Sequence, residues 1–155
     1  MKKSTFFKSA SLALACAAAT AAFSGCGSKN YAENNTAFFI GASGPLTGSA
    51  ASYGIAVQRG AELAVEEINA KNEDGMRFTF EIKDDKASAA DVPTNFAALY
   101  EKGMQLSLGA VTSGACLSFK GLAAEKNLFT LCPSATADDV TKDADTVFQM
   151  CFSDS

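Results

Sequence analysis

"IGASGPLTGSAASYGIAVQRGAELAVEEINA", Ile40 to Ala70, passes from a short apolar run through a loop of small residues into a helix, and that passage decides the fold. From Ile55 to Asn69 the apolar residues Val57, Ala61, Ala64, Val65 and Ile68 follow helical spacing, while Arg59, Glu62, Glu66 and Glu67 take the other side. Just upstream, Ala37 to Ala42 ("AFFIGA") is continuously apolar, the pattern of a strand buried on both faces of a parallel sheet. The first unit is therefore strand, loop, helix.

The unit recurs along the chain. Arg77 to Lys83 ("RFTFEIK") alternates like a strand, and Val92, Phe96, Leu99 and Tyr100 mark one face of a helix that closes at Lys102-Gly103, with Pro93 in its first turn. Leu106 to Val111 is a third strand, followed by a helix lined by Ala115, Phe119, Leu122 and Ala123 that ends near Lys126-Asn127. Leu128 to Cys132 is a fourth strand, stopped by Pro133, and Thr146 to Phe152 a fifth. Strands alternating with helices at this rhythm require right-handed crossovers, hence an α/β fold with a parallel sheet flanked by helices on both faces.

Outside this region, Lys2, Lys3 and Lys8 precede an Ala- and Leu-rich run from Ala10 to Ala22, the layout of a secretory signal and too short to span a bilayer. Small residues lead to Cys26 in "FSGC", which resembles the lipobox of bacterial lipoproteins, although Phe23 departs from the usual Leu. Ordinary cleavage at an Ala-x-Ala site such as Ala19-Thr20-Ala21 is the alternative, and both readings export the chain. The expected organisation is a lipoprotein signal peptide over 1–25, a flexible tether over 26–36 and one α/β unit over 37–155. Acylated Cys26 would then anchor the protein to the membrane, in the periplasm or at the cell surface.

Removing Lys2, Lys3 and Lys8 from the 13 basic residues leaves ten against 17 acidic ones, an acidic balance that argues against nucleic acid as a partner. There is no histidine, and the cysteines lack ligand spacing, so neither a metal nor another cofactor is expected. Once Cys16 and Cys26 are set aside, Cys116, Cys132 and Cys151 remain. This odd number is no disulfide framework; Cys116 with Cys132 is the candidate pair, and buried free thiols are the other state open to them.

Ligands of open α/β sheets bind outside the carboxyl ends of the strands. On that rim lie "SGPLTGSAASYG" after strand one, Asp84-Asp85 after strand two, "TSGA" after strand three and "PSAT" after strand four. Ser113 opens the third helix, whose first amides lack acceptors and whose positive end favours an anion such as a carboxylate. Equally, Ser113 is read as a mere helix cap, Ser134 to Thr136 as a turn after proline, and Tyr53 as a partly buried aromatic without a ligand. Asp84-Asp85 reads as a solvated or capping pair.

In order and spacing, the Ile40–Ala70 stretch, "KDDKASAADV", "GAVTSGA" and "CPSATADDVT" resemble the N-terminal lobe of the leucine/isoleucine/valine-binding family of type I periplasmic binding proteins. The resemblance implies that 37–155 form a Rossmann-like N-terminal ligand-binding lobe, truncated before the second lobe that faces it across a cleft in the family, and that ligand is delivered to the permease subunits of an ABC importer. It implies that Ser113 binds the ligand carboxylate and that the Thr136 amide assists. The Thr136 hydroxyl and the Ser134 carbonyl would meet the ammonium, and Tyr53 would wall the side-chain pocket. It also shows departures. Ala87 and Thr112 stand where some members bridge two cysteines, and Gln149 stands where many carry arginine.

The expected function is a substrate-binding subunit that takes up a small amino acid, branched-chain or otherwise apolar. One rival is a module of the same fold that carries an amide, urea or aromatic acid to a sensor. A hydrolase using Ser113 or Cys116 would lack the histidine that usually activates such a nucleophile, so the chain is read as no enzyme. A purely structural membrane-tethered scaffold would respond to no solute.

Overall fold

The computed structural model describes residues 37–73 and 75–154, so the signal, the tether and Cys26 lie outside the described residues. The described residues fall in one unit, Asn35–Ser155. In chain order they form β1 (Ala37–Gly44), α1 (Ala51–Lys71), β2 (Arg77–Asp84), α2 (Val92–Glu101), β3 (Leu106–Ala110), α3 (Ser113–Glu125), β4 (Thr130–Cys132), a 3-10 turn (Asp138–Val140) and β5 (Val147–Gln149). All strand pairs are parallel, in the order β2-β1-β3-β4-β5. None of the described helices is long and apolar enough to cross a membrane.

That order positions the site. The chain moves outward from β1 to β2 and then back across β1 to β3, β4 and β5, so right-handed crossovers put α1 on one face and α2 with α3 on the other. The reversal lies between β1 and β3, the kind of place at which open α/β sheets bind their ligands.

The core fills the α2–α3 side. Val92, Phe96, Leu99, Phe119 and Ala123 are buried between these helices and the sheet, and the Phe96 and Phe119 rings meet edge to face at 5.0 Å. Burying a side chain of this size stabilises the fold by about 1.5–3 kcal/mol, which makes this pair of helices the anchor of the third helix's N-terminus. The helix ends follow the sequence reading. The Met104 amide bonds back to Leu99 and the Leu128 amide to Ala123, which closes α2 and α3.

Two elements depart from expectation. α1 begins at Ala51, so Ser52, Tyr53 and Gly54 belong to its first turn and not to the loop. Gly54 permits this, because a Cβ there would stand 2.0 Å from the Pro45 carbonyl oxygen and would push the helix off the end of β1. The inward face of α1 is also rotated. Ala61 and Val65 are half-buried, but Ile68 is 49% exposed and Ala64 is exposed. Asn69 points inward instead, and its amide pairs with both backbone groups of Phe78 at 2.8 Å, occupying the outer edge of β2. At the other edge, β5 spans only Val147–Gln149, and Phe152 is exposed.

Within the sheet, β3 carries a bulge. Gly41 and Ser43 of β1 stand opposite Ser107 and Ala110, so β3 holds one residue more. Gly109 absorbs it with φ of 63°, and Ser107 steadies it by donating to the Gly41 carbonyl and accepting from the Gly109 amide.

Candidate functional site

β3 and β4 are neighbours, so the segments leaving their carboxyl ends lie side by side on one rim. The extended backbone of Thr112 turns the chain into α3, and Ser113 is the first helical residue. The Ser113 hydroxyl accepts the Thr136 amide at 3.3 Å and the Ala137 amide at 3.4 Å. In the opposite direction, the Ser134 hydroxyl donates to the Val111 carbonyl at 2.7 Å. Two serines thus stitch together the turns after β3 and β4, and Ser113 is no simple helix cap: no side-chain cap bond is made at this terminus. The Thr112 hydroxyl oxygen beside it is buried and lacks a hydrogen-bond partner among the described residues.

This corner has a definite electrostatic character. The positive end of α3, the hydroxyl of Ser113 and two successive backbone N–H groups from the β4 loop converge. No acidic side chain takes part in these bonds. Such a cluster of donors suits a small anion, whose oxygens would take over the N–H bonds that the Ser113 oxygen now accepts.

The other residues read from the sequence sit at varying distance from that corner. Tyr53 is on the first turn of α1, in the connection that follows β1, and is 65% exposed. No hydrogen bond or ring contact joins it to Ser113, Ser134 or Thr136 among the described residues. Asp84 and Asp85 part company. Asp84 gathers the β1–α1 loop by accepting the Leu46 and Thr47 amides, the Thr47 hydroxyl and the Lys86 amide. Partial burial opposes its ionisation, yet these donors hold its carboxyl below the ordinary value.

Asp85, expected to be solvated or capping, is instead fully buried. Its carboxylate accepts the Ser43 hydroxyl and the Ala87 amide, both at 2.9 Å, and Asn95 donates in turn to Ser43 and to the Asp84 carbonyl. Burial pushes its carboxyl upward against the bonds from Ser43 and Ala87, and the charges of Asp84 and Asp91 add to the rise. Ser43 lies on the α2 side of β1, where a buried polar residue needs a partner, and Asp85 supplies it from 42 residues away.

Cys116 and Cys132 are buried side by side as free thiols rather than a bridge, and Cys151 is a free thiol, half-buried. The Cys116 sulfur donates to the Ala110 carbonyl at 2.7 Å, which a bridged sulfur cannot do. Its neighbour Cys132 and the loss of water both push its thiol upward.

The model of the periplasmic binding protein family matches residues 37–155. Among curated relatives, the Leu/Ile/Val-binding protein BraC3 of Rhizobium johnstonii is 36% identical over 104 residues, 66% of this chain and 28% of the relative. The Leu/Ile/Val-binding protein homolog 3 of Brucella melitensis is 31% identical over 142 residues, 90% of this chain and 38% of the relative. Among solved structures, the branched-chain amino acid transporter substrate binding protein LivJ from Streptococcus pneumoniae, in complex with isoleucine, superposes with a TM-score of 0.70 at 34% identity. That superposition covers 76% of this chain and 34% of the solved one, so the chain spans about a third of the length of the proteins it matches.

Proposed function

The chain belongs to the periplasmic binding protein family, and on that premise we propose that it is the substrate-binding subunit of an ABC importer for a small, apolar amino acid, branched-chain above all. The carrying observation is the meeting of the Ser113 hydroxyl with the Thr136 and Ala137 amides at the N-terminus of α3. In this reading Ser113 and the Thr136 amide hold the ligand carboxylate. The Thr136 hydroxyl and the Ser134 carbonyl take the ammonium, and Tyr53 walls the apolar side chain. Charged-group hydrogen bonds of about 1.5–3 kcal/mol each would fix the head, and apolar burial would grade the side chain.

In this reading the described lobe forms one wall of a cleft, and a facing second lobe would complete the enclosure and supply the ammonium's acidic partner. Closure of the two would create the form that permease subunits recognise. The protein would be exported and held at the membrane surface through acylated Cys26, the residues between Cys26 and Ala37 serving as its tether.

A thermal-shift screen of amino acids, amides, urea and aromatic acids against the protein tests this reading. A ligand at a hundredfold excess over its Kd adds about 2.7 kcal/mol of stability. Leucine, isoleucine or valine should raise the midpoint, and leucinamide, which lacks the carboxylate, should not. A response to urea or benzoate alone would move the assignment to the sensor module, and no response to any solute would end it.

A further inference from the structure

We propose that Gln149, with Cys151 beside it, is the positioning residue that aims the carboxylate-binding amides; the inference rests on the site proposed above. Gln149 ends β5 and stands across from Cys132 of β4 in the parallel register. Its side-chain amide donates to the Ala135 carbonyl, and the Cys151 thiol donates to the same oxygen at 2.8 Å. One peptide further on, the Thr136 carbonyl accepts the Asp154 amide, also at 2.8 Å. The segment from Gln149 to Asp154 therefore holds two successive carbonyls of the β4 loop.

Holding the carbonyls fixes the donors. No peptide in the described chain is cis, and in a planar trans peptide the C=O and N–H groups point in opposite directions. The Ala135 carbonyl drawn toward β5 turns the Thr136 N–H toward β3, and the Thr136 carbonyl drawn the same way turns the Ala137 N–H with it. Both N–H groups then meet the Ser113 hydroxyl, as observed. Gln149 touches no ligand in this arrangement. It acts through the peptide plane, and its replacement by a residue without a donor leaves that carbonyl to the Cys151 thiol alone, so the plane shifts.

The test compares Gln149→Ala, Gln149→Glu and Gln149→Arg. Backbone amide resonances of Thr136 and Ala137 are recorded by NMR, and leucine and leucinamide are titrated against each protein. Q149A should displace the Thr136 resonance and weaken leucine about tenfold, the loss of one well-placed hydrogen bond's worth of alignment. Q149R, whose guanidinium can donate to the same carbonyl, should restore both readings. Q149E keeps the size but removes the donor and should behave as Q149A, which carries the comparison if the alanine variant does not fold. Leucinamide, which lacks the carboxylate, should move the Thr136 and Ala137 resonances in none of the four proteins. Unchanged Thr136 and Ala137 resonances in Q149A and Q149E, or unchanged leucine affinity, would overturn the proposal. If the unaltered protein ignores leucine, the amino-acid reading fails, while displacement of the resonances and their restoration by Q149R would still establish the positioning.

Discussion

The Ser113 hydroxyl lies 3.3 Å from the Thr136 amide, joining residues 23 apart in sequence through two neighbouring strands. If this contact marks the carboxylate cradle, Ser113→Ala should weaken leucine binding by roughly ten- to a hundredfold, the equivalent of one hydrogen bond to a charged group. Folding should change little, by less than about 1 kcal/mol, because the two amides it leaves are close to solvent. Calorimetric titration beside urea unfolding separates the two effects.

Gly109 is the residue on which the rim's geometry is most sensitive. Its φ of 63° is costly for any residue with a side chain, and a Cβ there would stand 2.9 Å from both the Cys132 sulfur and the Thr130 methyl. Gly109→Ala should destabilise the lobe by about 2–4 kcal/mol, the strain and the overpacking acting together. A fall in the urea midpoint with an unchanged slope would show this; an unchanged midpoint would mean that the bulge relaxes freely.

Asp85 gives a pH dependence of definite sign. Its folded carboxyl is raised above the ordinary 3.8, so the native state holds the proton more tightly than the unfolded chain. The stability this contributes is fully present below pH 3.8 and is lost as pH rises through the folded value. Asp84, lowered from 3.8, acts in the opposite sense and only at lower pH, where its contribution disappears on acidification. Asp85→Asn should therefore remove a decline in stability above pH 3.8 that the unaltered protein shows. Urea midpoints followed from pH 4 to 7 would reveal it, and parallel curves for the two proteins would contradict it.

The thiols should divide by access. Cys116 and Cys132 are 0% and 1% exposed, and Cys116 is held protonated by its neighbour and by burial, so iodoacetamide should spare both in the native protein. Half-buried Cys151 should be alkylated first. Peptide mapping before and after denaturation distinguishes the three, and rapid native labelling of Cys116 would show that α3 opens readily.

Much of this architecture was legible in the residues. The helical spacing of Val92, Phe96 and Leu99 reports burial directly, and the apolar run "AFFIGA" marks the first strand, although Ala37 is exposed and Phe38, Phe39 and Ile40 are only half-buried. The pairing of Ser113 with Thr136 was implied by the family resemblance, and the bond between them rests on β3 and β4 being neighbours, which alternation alone does not fix. What remained hidden depends on contacts distant in sequence. The start of α1 at Ala51 is set by Gly54 against the Pro45 carbonyl, the burial of Asp85 by Ser43 on another strand, and the hold of Gln149 on Ala135 by a loop carbonyl. Local pattern carries no trace of a carbonyl's direction. The exposure of Ile68 likewise reflects the rotation of α1 that turns Asn69 inward onto Phe78, which periodicity alone leaves free by one residue to either side.

The most direct measurement is an NMR titration of the protein with leucine and, separately, with leucinamide, following every backbone amide. Contacts from the described residues alone should hold leucine weakly, with a Kd of about 1 mM, equivalent to about 4 kcal/mol. The account predicts that leucine moves the amides of Ser113, Gly114, Thr136 and Ala137 together, on one saturating curve, and that leucinamide leaves them in place. Saturating shifts confined to residues away from this corner, or equal responses to the two compounds, would contradict it.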